Sequence, residues 1–225
     1  MTQDLSSWTP RPTPGGEVLT GARVRLEPLD WAAHEDGLFA AVGGADNADM
    51  WAYVSVGPFE DQATFAKDFG DTCAKGKWRT MVVVDAASNL ATGTMSFMRL
   101  REEHGSCEIG CVVFGGALQR TQAATEALYL AARHVFDDLG YRRYEWKCNA
   151  LNEASRRAAE RFGFAYEGTF RNDMVVKGCG RDTAWYAITD ADWPAVKAAL
   201  EAWLAPDNFD AAGQQIKPLA AFRAD

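Results

Sequence analysis

The sequence predicts an α/β protein built on one mixed sheet with helices on both faces. Three observations predict it. Residues 78–114 read as successive strands joined by short turns, which makes antiparallel pairs. Residues 107–148 read as strand, helix, strand, which makes one parallel pair. Helical patterns flank these strands over 30–42, 60–75, 149–164 and 190–204, with no internal repeat and no low-complexity tract.

Pro10, Pro12 and Pro14 forbid helix, so residues 1–20 form an extended arm. "ARVRLEPL" (22–29) alternates as a strand, and 30–42 is helical through Leu38, Phe39 and Val42. "MWAYVSVGPF" (50–59) is an aromatic loop, and 60–75 is a helix with Phe65 and Phe69 on one side. "WRTMVVVD" (78–85) and "LATGTMSFMRL" (90–100) are strands around a turn at Ala86–Asn89. "EEHGS" then turns the chain into the strand "CEIGCVVF" (107–114). A Gly-Gly loop leads to a helix from about Thr121, with Leu128, Ala131, Ala132, Val135 and Phe136 at helical spacing and Gly140 at its end.

"RRYEWKC" (142–148) is a strand with Tyr144, Trp146 and Cys148 on one face. Asn152 caps the next helix and Gly163 closes it, while Ser155, Ala158, Ala159 and Phe162 share a face. "FAYEGTFR" (164–171) and "RDTAWYAI" (181–188) are strands joined by a loop through Asp173, Lys177 and Gly178. A helix over 190–204 completes a single domain, residues 21–204, and 205–225 reads as a loose tail.

Hydrophobic residues make up 48% and charged residues 24%, the composition of a soluble globular protein. No apolar run approaches the ~18 residues of a membrane span, and the N-terminus lacks the order of a signal peptide. Lys and Arg number 23 against 31 Asp and Glu, a net charge of −8, which argues against nucleic-acid binding. Most of the arginines at 142, 143, 156, 157 and 161 read as solvated surface. Cys107 and Cys111 stand roughly 13 Å apart on one strand. The expectation for the five cysteines is buried thiols in a reducing cytosol. His34, His104 and His134 are isolated, so no metal is expected.

A strand that ends in a loop and then a helix N-terminus is a place for an anionic ligand. The stretch "FGGALQRTQAATEALYL" (114–130) holds that junction. It contains neither GxGxxG nor GK[ST]. Gln119, Arg120 and Thr121 offer side-chain donors, and the amides of 120–125 point outward at a helix start. On these residues alone a phosphate cradle and a plainly capped helix stay equally open.

"EIGCVVF…LQRTQAATEA" followed by "LGYRRYEWKCNALNEASRRAAERFGFAYEG" resembles the GCN5-related N-acetyltransferases, the GNAT family. With "MWAYVSVGPF", "EGTFR" and "RDTAWYAI", it is most similar to the branch named for the ribosomal-protein acetyltransferases RimJ and RimL. The resemblance covers about residues 20–190. It implies a mostly antiparallel sheet whose strands at 107–114 and 142–148 splay apart, with acetyl-CoA as co-substrate. The pantetheine arm would pair with the backbone near Val112 and Val113 and meet Asn152 and Ser155. The pyrophosphate would sit on the turn formed by Gln119, Arg120, Thr121, Gln122, Ala123, Ala124 and Thr125. The family's turn has glycine where this chain has Gln122. The amides stay available if φ there is negative and the side chain points out of the turn.

The implied reaction is attack of a primary amine on the thioester within a ternary complex. An ammonium must first lose a proton. Glu108, on the strand face opposite Cys107 and Ile109, and Asp173 are the candidate bases; each is equally readable as an ion-pair partner. The Val113 amide is the candidate donor to the oxyanion. Ser155 is the candidate acid for the leaving thiolate, with back-bonding to its own helix as the alternative. Trp51, Tyr53 and Phe59 are expected to line the acceptor entrance, whereas Trp146 and Trp185 are equally well core. The acceptor would be a protein N-terminus, such as a ribosomal protein's, or a small aminoacyl or antibiotic-like amine. A non-catalytic acyl-CoA sensor or scaffold on the same fold is the alternative. The arm and the last helix are candidate homodimer contacts.

Overall fold

The computed structural model describes residues 4–223. Its strands are β1 (Leu19–Thr20), β2 (Val24–Pro28), β3 (Arg79–Asp85), β4 (Ala91–Arg101), β5 (Ser106–Phe114), β6 (Arg143–Asn149), β7 (Ala165–Val176) and β8 (Cys179–Thr189). They form one eight-stranded sheet in the order β1-β2-β3-β4-β5-β6-β8-β7. Only β5 and β6 run parallel; every other neighbouring pair is antiparallel. This is the mixed sheet expected from the hairpins and the single strand–helix–strand crossover.

The helices are α1 (Trp31–Val42), α2 (Gln62–Thr64), α3 (Gly70–Gly76), α4 (Gln122–Arg133), α5 (Glu153–Phe162) and α6 (Trp193–Leu204). A π-helical stretch, Phe65–Phe69, joins α2 to α3, and another, His134–Asp138, extends α4. Local chemistry starts and stops them. Asp30, Asp61, Thr121 and Asn152 cap α1, α2, α4 and α5 with side-chain oxygens, and Gly163 ends α5 at φ +97°.

Two cores follow from strands that are buried on both faces. Met81 and Val83 of β3 point into one core, with Ile109, Leu128, Val135, Tyr144, Trp146 and Trp203. Val82 and Val84 point the other way, to Leu38, Val42, Trp51, Phe59, Phe65 and Phe69. In the second core the Phe65 and Phe69 rings stack at 5.5 Å, and Trp51 meets Phe59 edge-on at 4.9 Å.

Glu126 of α4 explains the "ATEA" stretch. Its buried carboxylate accepts from the backbone N–H groups of Ala22 (3.1 Å), Arg23 (2.6 Å) and Val24 (3.0 Å), tying the β1–β2 turn to the helix. A Cβ at Gly21 would stand 2.7 Å from the Glu126 Cδ, so this close approach requires glycine.

Two expectations change. β7 does not stop at residue 171: it bulges between Phe170 and Met174 and continues to Val176. Asn172 takes φ +51° there and its N–H bonds Asp182 Oδ1 at 2.7 Å, so the chain bends without losing the ladder. The tail from 205 to 223 is also not loose. Asn208 is buried and bonds the carbonyls of Trp203 and Lys217, Trp203 Nε1 donates to Gln215, and Leu219 sits in the core. Residues 224 and 225, and 1–3 of the arm, lie outside the described residues. The rest of the arm runs along the β4–β5 turn, where Arg11 N–H bonds Glu102 O at 2.9 Å.

Candidate active site

β5 and β6 are paired only over Ser106–Ile109 and Arg143–Trp146. Beyond Ile109 and Trp146 no ladder joins them, and a cleft of about 1290 Å³ opens between them. A bulge turns β5 outward at this point. Cys111 and Val112 lie opposite the single residue Met95 of β4, and Cys111 takes φ +46°. Val112 lines the cleft, whereas the Val113 side chain is buried in the second core.

The α4 start closes one end of the cleft. Thr121 Oγ1 accepts from the Ala124 N–H at 3.1 Å, and Thr125 N–H bonds the Thr121 carbonyl at 3.4 Å. Among the described residues, the amides of Arg120, Thr121, Gln122 and Ala123 have no backbone or side-chain acceptor. The tight step in the turn is at Arg120, with φ +61°, and not at Gln122, which is the first residue of α4. The Gln122 side chain points away to the Gly213 carbonyl at 3.4 Å. The Gln119 side chain is engaged too: its Nε2 donates to the Phe114 carbonyl at 2.7 Å and holds the loop. The turn is therefore half capped and half open, with the open half facing the cleft.

The other end carries the titratable groups. Glu108 is buried on the β5 face opposite the first core and lines the cleft. Lys147 Nζ lies 3.1 Å and Arg99 Nε 3.7 Å from its Oε2, yet no hydrogen bond is aligned on that atom. Burial raises the Glu108 carboxyl above its ordinary range, with Lys147 and Arg99 opposing the shift. A Cβ at Gly110 would stand 2.9 Å from Glu108 Oε1, so glycine makes room for the carboxylate. Across the cleft, Ser155 Oγ accepts from Trp146 Nε1 at 2.9 Å, and its N–H bonds the Asn152 cap at 3.0 Å. Burial raises the neighbouring Cys148 thiol, and the Ser155 hydroxyl opposes that shift. Asn152 and Ser155 both line the cleft.

The structure thus brings together Glu108, Val112, Asn152, Ser155 and the turn from Gln119 to Thr125. It does not bring in Trp51 and Phe59. Both are buried, and Trp51 Nε1 is spent on the Val42 carbonyl at 2.7 Å. Their side chains serve the second core, whereas Tyr53, 43% exposed, lines the cleft with Met50, Val54 and Ser55. Asp173 is exposed on the β7 bulge, and the cleft lining there is its neighbour Met174.

Several lining residues carry no sequence signal. Arg161 donates to Thr125 Oγ1 at 3.2 Å and lies along the Phe162 and Trp203 rings, 5.0 Å from each. Burial and the nearby Arg223 lower its pKa. Its place at the end of α5, one turn after Ala158, put it on the cleft side; reading the arginines as one solvated group hid this. Lys147 and Arg181 also line the cleft. Phe209, Gly213, Gln214 and Gln215 bring the folded tail to the cleft. Lys177, in the β7–β8 turn, donates to the Trp51 carbonyl at 2.8 Å and ties that hairpin to the aromatic loop. Among the described residues no group of three His, Cys, Asp or Glu side chains could hold a metal, and no helix is long and apolar enough to cross a membrane.

Comparison with known proteins agrees with this geometry. A family model described as "Acetyltransferase (GNAT) domain" matches residues 23–165. The crystal structure of a GCN5-related N-acetyltransferase from Brucella melitensis superposes with a TM-score of 0.93, at 47% identity, over 97% of this chain and 99% of that one. A probable acetyltransferase of the GNAT family from Chromobacterium violaceum gives 0.80 at 38% identity, over 87% and 97%. Spermidine N-acetyltransferase from Vibrio cholerae, in complex with CoA and spermine, gives 0.61 at 18% identity over 77% and 99%, a likeness of fold alone. No curated protein matches the sequence.

Proposed function

The chain belongs to the GNAT acetyltransferases, and we propose that it moves an acetyl group from acetyl-CoA to a primary amine by direct attack in a ternary complex. One observation carries this reading: a single cleft joins the open amides at the start of α4 to Glu108 and Ser155. The residues present fit the co-substrate. Free N–H groups at a helix start suit a pyrophosphate, Arg120 and Arg161 add positive charge beside them, and the unpaired β5 edge suits an amide-rich arm. Acetyl-CoA brings an activated acetyl group as a thioester.

The chain's own groups then divide the work. Glu108 Oε2, free of aligned hydrogen bonds, takes the ammonium proton of the acceptor, directly or through one water. Trp146 holds the Ser155 oxygen as acceptor, and the Ser155 O–H, which neighbours the Cys148 thiol, turns to donate toward the leaving sulfur. Val113 is the register partner of Thr94 on β4, so its N–H belongs to the β4–β5 ladder and is not assigned to the developing oxyanion. Tyr53 and Met174 stand at the acceptor mouth, where the entering amine comes from a protein N-terminus or a small aminoacyl compound. The likeness to the RimJ and RimL branch supports that acceptor class and a cytoplasmic setting. Gln122, which stands where the family's turn has glycine, turns its side chain to the tail. Asp173 does not line the cleft, so Glu108 is the base we assign.

Thiol release from acetyl-CoA, followed across a panel of primary amines, tests the proposal. At least one amine should accelerate release, and acetyl-CoA alone should raise the Tm. A protein that neither binds acetyl-CoA nor turns over any amine would refute it.

A further inference from the structure

The acceptor end of the cleft is cationic in a protein of net charge −8. Lys147 of β6 and Arg181 of β8 line the cleft, Arg99 of β4 stands beside Lys147, and Arg181 lies toward Cys148. The Trp185 ring fixes two of these cations: the Arg99 guanidinium and Lys147 Nζ each lie 5.0 Å from its centroid. The carboxylates that line this end are Glu108 and Asp49. Glu108 is already flanked by Lys147 and Arg99. Glu145, the next buried carboxylate on this face, takes Arg101 at 2.6 Å and Arg143 at 2.8 Å. Asp49 is exposed at the mouth.

None of these carboxylates pairs with Arg181, and the adjacent Asp182 accepts from the Asn172 N–H. Arg181 Nε donates to Thr183 Oγ1 at 3.2 Å, and no ion pair reaches Arg181 among the described residues. The acetyl-transfer reading assigns the pyrophosphate of acetyl-CoA to the α4 start, so it does not account for Arg181. A polyamine would bring several positive charges to an end that already holds uncompensated charge. An acceptor with one amine and one anion would match both Glu108 and Arg181.

We propose that the acceptor presents an anionic group, a carboxylate or a phosphate ester, beside its primary amine, and that Arg181 takes this anion while the amine goes to Glu108. The proposal rests on the acetyl-transfer reading and narrows its substrate class. Guanidinium forks suit both anions.

The test uses the full chain, acetyl-CoA and matched amine pairs: an amino acid against its amide, and phosphoethanolamine against ethanolamine, with spermidine alongside. Expected is a kcat/KM about tenfold or more higher for the anionic member of at least one pair, with spermidine the poorest acceptor. The responding pair tells carboxylate from phosphate. In Arg181→Gln the ratio within that pair should fall to about twofold or less, chiefly through KM, and Arg181→Lys should recover part of it. Equal turnover within both pairs, preference for spermidine, or an unchanged ratio in Arg181→Gln would overturn the proposal while leaving acetyl transfer intact. No release with any amine would overturn both. Should Arg181→Gln fail to fold, the wild-type ratios alone decide.

Discussion

Trp146 Nε1 donates to Ser155 Oγ at 2.9 Å, from a strand at the cleft to the helix beside it. An indole N–H can only donate, so the serine oxygen is an acceptor in this pair and its own proton is directed to another partner. Ser155→Ala should lower kcat by about 10²-fold, the usual size of a lost proton donor. The rise in Tm on adding acetyl-CoA should persist. Trp146→Phe removes the orienting bond and should lower kcat less than Ser155→Ala does. Steady-state kinetics with Tm measurements on both variants check this; a fully active Ser155→Ala would reduce Ser155 to a packing residue.

Glu108 must be ionised to act as a base, and burial raises its carboxyl. The acid limb of kcat/KM should then lie above the ordinary carboxylate range: activity is lost as pH falls through this raised value and recovered above it. Neutralising Lys147, as in Lys147→Met, removes an opposing cation 3.1 Å away and should move the limb further up. A pH–rate profile of both proteins gives the answer, and a limb unmoved by Lys147→Met would separate it from Glu108.

Tyr53 and Trp51 are two residues apart but belong to different places. Trp51→Ala should cost about 3–5 kcal/mol of stability, because it empties the centre of the second core. Tyr53→Ala should leave the denaturant midpoint nearly unchanged and raise the acceptor KM. Urea titration beside kinetics distinguishes the two.

Glu126 is a structural residue inside the most recognisable motif. Glu126→Ala leaves three backbone N–H groups without their acceptor and should destabilise the fold by roughly 2–4 kcal/mol. Acetyl-CoA affinity of the fraction still folded should change little. A large loss of affinity without loss of stability would instead place Glu126 at the ligand.

Arg161 bonds Thr125 in the first turn of α4 and lines the cleft. Arg161→Gln should weaken acetyl-CoA binding about tenfold and reduce its salt dependence. Calorimetry at two ionic strengths measures both.

The parts of this molecule legible in the sequence are those set by local rules. Hairpin turns, the crossover from Cys107 to Cys148, and the caps Asn152 and Gly163 announce the sheet and its helices. The turn at Gln119–Thr125 was legible as a place, but its geometry was not. The left-handed step falls on Arg120, where no residue preference marks it. Trp51 and Phe59 misled because an aromatic loop has no periodicity to show which side is buried. Their partners Phe65 and Phe69 lie on a later helix, and only packing joins them. Lys147, Arg161 and Arg181 come from three different elements, and no spacing in the chain announces that they share one cleft.

The central claim is that one cleft holds acetyl-CoA at the start of α4 and passes its acetyl group to an amine at Glu108. Thiol release with the best acceptor, measured for the wild type and Glu108→Gln beside the acetyl-CoA-induced rise in Tm, tests it most directly. The account predicts an equal rise in Tm for both proteins and a kcat about 10²-fold or more lower in Glu108→Gln. Wild-type turnover in Glu108→Gln, or a wild type whose Tm does not respond to saturating acetyl-CoA, would contradict it.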